Sequence, residues 1–181
     1  MTRWNLPNVL SLSRIFLAPI VVLFLTVVRE RFGTVFGVSM GDIVAGVVFI
    51  LASMTDAVDG YVARKRRMVT NLGKFIDPIA DKILVVAALI SLVELKALSA
   101  WMVVIIVSRE FIVSGIRMVA AAEGVVMHAS PAGKAKTVSQ IIAIAMMIFG
   151  MRYALPVMWV ALIMTVWSGL DYLIRGRDFL R

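Results

Sequence analysis

Apolar residues are grouped along this chain into six long segments, separated by short polar connections. The segments cover approximately residues 8–28, 42–63, 78–95, 98–118, 137–151 and 155–174. A helix that crosses a bilayer needs about 20 predominantly apolar residues, and most of these segments approach that length. Continuous apolar runs favour helices over barrel strands, in which apolar and polar residues alternate. The pattern predicts an all-α integral membrane protein with six transmembrane helices in one bundle.

Composition agrees with a membrane protein of one domain. Hydrophobic residues make up 61% of the chain and the mean hydropathy is +0.97, which excludes an ordinary soluble domain. The chain contains no cysteine, so disulfides and thiolate metal sites are excluded. Because no soluble segment or repeat interrupts the pattern, residues 1–181 are expected to form a single membrane domain.

Basic residues predict the orientation of the helices. If both termini lie on one side, that side also receives the basic run 64–67 and the basic residues of 175–181. Cytoplasmic connections carry an excess of Lys and Arg, so both termini are expected in the cytoplasm. The formal net charge of +8 favours anionic partners, either membrane lipids or phosphorylated substrates, and no nucleic acid is expected.

Four aspartates mark a candidate metal site. Asp56 and Asp59 are three residues apart near the end of the second segment, and Asp77 and Asp81 are four apart near the start of the third. Each pair shares a helix face, and the short connection predicts that the two helices are antiparallel neighbours. Converging carboxylates need cations between them. Oxygen ligands favour Mg²⁺ or Mn²⁺, and four carboxylates can hold two such ions.

The same stretch resembles a known family signature. Residues 56–81 read D-x2-D-G-x2-A-R-x8-G-x3-D-x3-D, which is similar to the signature of the CDP-alcohol phosphatidyltransferases. The resemblance implies a membrane enzyme, usually a homodimer, that transfers the phosphatidyl group of CDP-diacylglycerol to an alcohol and releases CMP. It implies that the metal ligands are Asp56, Asp59, Asp77 and Asp81. Asp81 would also be the general base that takes the proton of the attacking hydroxyl.

The resemblance also implies a pocket for the donor lipid. The residues that would line the CDP pocket are Gly60, Ala63, Arg64 and Gly73. Further residues expected to bind CDP-diacylglycerol are Asn8, Arg14, Asp56 and Lys74. Arg14 lies inside the first apolar segment, where it either faces the bundle and binds the donor phosphates or extends toward the lipid surface.

Basic residues in the second half are candidates for binding the acceptor. Arg109 and Arg117 are about two helical turns apart on nearly the same face, and Lys134 and Lys136 open the fifth helix. Together they would form a cationic pocket for a phosphorylated acceptor, although Lys136 could instead be a cytoplasmic anchor. Glu110 is expected to pair with a residue other than Arg109, because adjacent helix residues do not face each other.

Three further segments resemble one branch of the family. They read R-E-F-I-V-S-G-I-R (109–117), A-S-x2-G-K-x-K-T-x2-Q (129–140) and N-L-P-N-x-L-S-x2-R (5–14). They look like the phosphatidylglycerophosphate synthase branch, although related branches share the last one. The resemblance implies sn-glycerol 3-phosphate as acceptor, phosphatidylglycerophosphate as product, and a bacterial cytoplasmic membrane with the active site at its cytoplasmic face.

Other interpretations stay open. The same chemistry could use serine or inositol phosphate, although serine would not need so many cations. A divalent-cation transporter could use the same acids, and it predicts acids at the bilayer midplane and metal flux. In a purely structural interpretation the aspartates would form ion pairs with Arg64, Lys74 and Lys82.

Overall fold

In its described residues, 6–66, 71–122 and 131–176, the computed structural model contains six α-helices and one short β-hairpin. Side chains are described for residues 12–55, 79–80, 82–121 and 132–174. The helices are α1 (Leu6–Thr26), α2 (Met40–Arg66), α3 (Asn71–Glu94), α4 (Ala100–Ala122), α5 (Pro131–Ile148) and α6 (Ala154–Gly176). The strands are β1 (Thr34–Val35) and β2 (Val38–Ser39).

The six helices follow the six apolar segments, with differences at their ends. Helix α3 begins at Asn71 rather than near residue 78, and α5 begins at Pro131 rather than near residue 137. The first turns of both helices are rich in polar residues, so hydropathy alone does not include them. Among the described residues, Ala154–Ile174 is the stretch long and apolar enough to span a membrane, and Leu12–Thr26 and Met40–Thr55 are shorter apolar helices.

Helix α1 is the main packing partner of both helices that carry the aspartates. Among the described residues, it packs extensively against α2 and α3, which contact each other less. Helix α5 packs against α6 and α2, and α4 packs against α6 and α3. The ends of α2 and α3 that carry the aspartates lie outside the described side chains, so the expected pairing of these ends stays a prediction.

Buried residues recur every three or four positions along α1. Ala18, Val21 and Leu25 are 1%, 0% and 0% exposed, so one face of the helix packs against its neighbours. Arg14 lies one turn earlier on the same face and is 3% exposed. Arginine is almost never fully buried unless it is paired, and inside a membrane protein it usually marks a function. This end of the bundle therefore has a polar interior.

Large apolar side chains cover the outer surface of the bundle. Phe16, Trp101 and Trp167 are 70%, 77% and 72% exposed. Exposed apolar surface on this scale is unfavourable in water and marks a surface that contacts lipid or another protein. The outer surface therefore agrees with the high mean hydropathy of the chain.

The connection between α1 and α2 contains a short β-hairpin, which the sequence did not predict and which leaves the fold class all-α. Val35 pairs with Val38 in antiparallel register. The turn residues Phe36 and Gly37 both have positive φ angles, 52° and 82°. This backbone is typical of the tight turns that join two such strands, where Asn-Gly is the usual sequence. Phenylalanine at the first position explains why the sequence carried no hairpin signal.

Gly41 lies where the start of α2 passes close to the end of α1. A Cβ atom at this position would lie 2.5 Å from the carbonyl oxygen of Phe24 and 2.6 Å from Cα of Arg29. These backbone atoms cannot rotate away, so Gly41→Ala should lower the free energy of unfolding by about 1–3 kcal/mol. Thermal unfolding in detergent measures this effect.

The matched control for this prediction is Gly115→Ala in α4. Among the described residues, nothing would lie within 4 Å of the added Cβ there. Because alanine favours a helix over glycine, this variant should unfold at or slightly above the wild-type temperature. Equal unfolding temperatures for the two variants would contradict the close approach at Gly41.

Candidate active site

A cavity of about 160 Å³ lies among α1, α2, α3, α4 and α5. Apolar residues of α3 and α4, among them Leu84, Leu89 and Ile106, form part of its wall. Its polar and charged lining residues include Arg14, Ser53, Lys82, Glu110, Lys136 and Gln140. Among the described residues that line it, three are basic and one is acidic, so the cavity favours an anion.

Lys136 and Glu110 form a buried ion pair beside the cavity. The Nζ atom of Lys136 donates to Oε1 of Glu110. The side chain of Lys136 is 5% exposed and that of Glu110 is 17% exposed. A lysine buried this far needs a compensating charge, which the carboxylate supplies. The pair joins α4 to α5 and holds a positive charge at the wall of the cavity.

Arg109 is directed toward α6. Its Nη2 atom donates to Oγ of Ser168 at 2.7 Å, and its guanidinium lies 5.7 Å from the ring centroid of Tyr172. Its Nη1 atom lies 3.3 Å from Oε1 of Glu110. Glu110 was expected to pair with a residue other than Arg109. It pairs with Lys136, as expected, but it also contacts Arg109. Arg109 therefore links α6 to the ion pair.

The other predicted acceptor residues lie nearer the surface, and a further lysine lines the cavity. Arg117 in α4 and Lys134 in α5 are both exposed. Lys82 of α3 lines the cavity, and its Nζ atom donates to Oγ of Ser114 in α4. Of the four predicted acceptor residues, Lys136 is the one among the described lining residues.

The four predicted metal ligands lie in two of the five helices that border this cavity. Asp56 and Asp59 belong to α2, and Asp77 and Asp81 belong to α3. Their side chains lie outside the described residues, as do those of Asn8, Gly60, Ala63, Arg64, Gly73 and Lys74. The described side chains include no group of three His, Cys, Asp or Glu that could hold a metal ion. These assignments therefore stay predictions.

Helical spacing relates the aspartate positions to the cavity. Ser53 lines the cavity and lies three positions before Asp56 in α2. Leu84 and Val85 also line it and lie three and four positions after Asp81 in α3. Because positions three or four apart share a helix face, positions 56 and 81 follow the faces of α2 and α3 on which these lining residues lie.

Comparison with known proteins identifies the family of the chain. The family model described as CDP-alcohol phosphatidyltransferase matches residues 4–167. The chain belongs to the CDP-alcohol phosphatidyltransferase family. Members of this family are membrane-associated and generally depend on divalent metal ions. The resemblance recognised in residues 56–81 is thereby confirmed.

Individual CDP-alcohol phosphatidyltransferases match nearly the whole chain. A protein of Bacillus subtilis named CDP-diacylglycerol–glycerol-3-phosphate 3-phosphatidyltransferase is 42% identical over 98% of this chain and 98% of its own length. A protein of Haemophilus influenzae with the same name is 33% identical over 94% of this chain and 92% of its own length. A probable phosphatidylglycerophosphate synthase of Mycobacterium tuberculosis is 38% identical over 95% of this chain and 81% of its own length.

Residues that sequence reasoning did not select also belong to this site. Glu110 lines the cavity as the partner of Lys136, and Gln140 lines it one turn further along α5. Gln140 is 4% exposed. Gln140 ends the branch motif of residues 129–140, which assigned it no role; the spacing of 136, 140 and the buried Ile144, the period of one helix face, is the signal that could have placed it beside Lys136. Ser168 carried no such signal, since its contact with Arg109 joins distant parts of the chain.

Proposed function

We propose that this chain transfers the phosphatidyl group of CDP-diacylglycerol to sn-glycerol 3-phosphate, producing phosphatidylglycerophosphate and CMP. The observation that carries the proposal is its 42% identity, over 98% of its length, to a relative named for this reaction. The excess of basic residues around the cavity agrees with an acceptor that carries a phosphate. Serine as acceptor carries no phosphate and would not need so many basic residues.

The chemistry of the aspartate set fits a pair of hard divalent cations. Mg²⁺ and Mn²⁺ prefer oxygen ligands, and the chain supplies carboxylates and no cysteine. The residues that would hold the two ions are Asp56, Asp59, Asp77 and Asp81. Two bound ions would supply charge neutralisation for the diphosphate and stabilise the attacking and leaving oxygens of an in-line displacement.

The protein's own residues bind the two substrates and move one proton. Arg14 binds the donor phosphates, together with the CDP pocket of residues 60–74 and with Asn8. Lys136 and Arg117 bind the acceptor phosphate, with Lys134 beside them. Arg109 holds Glu110, which in turn positions Lys136. These contacts orient the acceptor hydroxyl toward the donor, which lowers the entropic barrier to reaction.

The transfer itself is a single displacement at phosphorus. The acceptor hydroxyl oxygen forms a bond to the phosphorus that carries the diacylglycerol. The bond from this phosphorus to the CMP oxygen breaks, and CMP leaves. The hydroxyl proton passes to the carboxylate of Asp81, which acts as general base.

The proposed reaction also implies where in the cell the enzyme lies. A water-soluble acceptor and a lipid donor meet at a membrane surface, and the basic run 64–67 favours the cytoplasmic side for that surface. The six helices would then cross a bacterial cytoplasmic membrane with both termini inside the cell. We further propose that the enzyme acts as a homodimer, as is usual in the family.

The proposal is tested by CMP release from purified, detergent-solubilised protein with CDP-diacylglycerol and Mg²⁺ or Mn²⁺. Glycerol 3-phosphate, serine, inositol and inositol phosphate are supplied as separate acceptors. We expect release with glycerol 3-phosphate and loss of release after chelation of the metal. Release only with another acceptor would refute the proposed acceptor. Metal flux into liposomes without any CMP release would instead support the transporter.

Arg117→Ala should raise the KM for glycerol 3-phosphate about tenfold or more, because a charged hydrogen bond to phosphate is worth about 1.5–3 kcal/mol. The KM for CDP-diacylglycerol should change little. Initial rates measured against each substrate give the two constants. Arg152→Ala, which removes an exposed arginine from the connection between α5 and α6, is the control and should leave both unchanged. An equal rise in both constants for Arg117→Ala would contradict its assignment to the acceptor.

A further inference from the structure

Gln140 presents a polar group that the described structure leaves unsatisfied. The residue is 4% exposed, and its Nε2 atom is buried without a hydrogen-bond partner. A buried donor without a partner costs about 1–3 kcal/mol, and a bound molecule that accepts from it removes that cost. Gln140 lines the cavity, which places this amide where a bound molecule could satisfy it.

The position of Gln140 on α5 relates it to the phosphate-binding lysine. Lys136 and Gln140 are four residues apart and are both 4% exposed, so they share the inner face of the helix. Four residues advance a helix by about 6 Å, so the side chains of both residues can contact one small phosphorylated alcohol. A molecule whose phosphate contacts Lys136 can therefore extend its carbon chain along the cavity to Gln140.

The chemistry of the amide favours a hydroxyl over a second phosphate contact. The cavity already offers Arg14, Lys82 and Lys136 to negative charge. A neutral amide has an NH₂ group that donates and an oxygen that accepts. A hydroxyl can accept a hydrogen bond from the NH₂ group or donate one to the oxygen. The Nε2 atom is buried and the apolar Ile141 and Val107 line the same cavity, so a hydrogen bond to the amide would form in a site of low polarity.

We propose that Gln140 recognises the secondary hydroxyl on the middle carbon of the acceptor. This inference rests on the proposed function, since it assigns a contact to the glycerol 3-phosphate that the enzyme uses. Gln140 is thereby a specificity-determining residue: Lys136 holds the phosphate, and Gln140 distinguishes a polyol phosphate from a simple alcohol phosphate. Recognition of a hydroxyl by a buried polar group rejects the analogue that lacks it.

The test compares two acceptors that differ only in this hydroxyl. The second acceptor is 1,3-propanediol monophosphate, which keeps the reactive hydroxyl and the phosphate. We expect wild-type enzyme to prefer glycerol 3-phosphate in kcat/KM by at least about tenfold, the value of one hydrogen bond. Gln140→Met, which keeps the length and removes the amide, should bring the ratio close to one. The ratio within one preparation is independent of the folded fraction.

The control is Ser91→Ala in α3, which removes another buried polar group. Ser91 is 0% exposed, bonds to the carbonyl oxygen of Ala87 within its own helix, and is not among the described lining residues. In Ser91→Ala, the ratio of kcat/KM for the two acceptors should equal that of wild type. A ratio near one in wild type, or a wild-type ratio retained by Gln140→Met, would overturn the inference and leave the proposed function standing. Wild-type protein that uses neither phosphate but accepts another alcohol would overturn the proposed function itself.

Discussion

Replacing Asp81 with asparagine should lower turnover by about 10³-fold or more while leaving the protein folded. The substitution keeps the size of the side chain and removes the carboxylate that takes the acceptor proton. General-base catalysis alone contributes about 10²–10⁴-fold, and the same carboxylate is a proposed metal ligand. CMP release with glycerol 3-phosphate measures the loss. Binding of CDP-diacylglycerol should largely persist, because the other proposed donor contacts are unchanged.

Asp42→Asn is the matched control for this variant. Asp42 lies in the first turn of α2, is not among the described lining residues of the cavity, and accepts a hydrogen bond from Nε of Arg29 at 3.0 Å. Asparagine can still accept that bond, so turnover per folded molecule should stay close to wild type. Turnover near wild type in Asp81→Asn would remove Asp81 from the mechanism.

Lys136→Met should raise the KM for glycerol 3-phosphate by about 10- to 100-fold, the equivalent of one charged hydrogen bond. Methionine preserves the approximate length of the side chain and removes its charge from the cavity wall. The KM for CDP-diacylglycerol should change little. Steady-state rates with each substrate varied in turn measure the effect. Lys96→Met, which removes an exposed lysine at the end of α3 away from the cavity, should behave as wild type.

A second substitution separates substrate binding from the internal ion pair. Lys136→Met leaves Glu110 buried without its lysine, and this alone could distort the site. Combining it with Glu110→Gln removes the stranded charge. If Lys136 binds the acceptor phosphate, the double variant should keep the raised KM for glycerol 3-phosphate. Recovery of a wild-type KM in the double variant would mean that Lys136 acts only as the partner of Glu110.

The helical part of the fold was predictable because the apolar segments are long and continuous. Six segments correspond to six helices, with α3 and α5 beginning earlier than expected at polar first turns. The hairpin was not predictable, because Phe36 occupies a turn position where asparagine is usual. The packing order was not predictable either, since hydropathy does not specify which helix faces contact each other. The placement of α1 against both α2 and α3 required the structure.

The sequence predicted the aspartate signature of the site in more detail than the residues that bind the acceptor. The long spacing of residues 56–81 identified the family, which the match over residues 4–167 confirms. The acceptor residues could be recognised only as basic positions on one side of the bundle. Sequence alone does not indicate that Arg109 turns toward Ser168 while Lys136 lines the cavity. Both depend on contacts between helices that are far apart in the chain.

The most direct test of the account follows the acceptor into the lipid product. Purified protein is incubated with CDP-diacylglycerol, Mg²⁺ and glycerol 3-phosphate labelled with ³²P. The lipid is then extracted, and the amount of labelled lipid is compared with the amount of CMP released. The account predicts labelled phosphatidylglycerophosphate and CMP in equal amounts, with neither formed after the metal is chelated. Folded, metal-supplied protein that forms no labelled lipid would contradict the account.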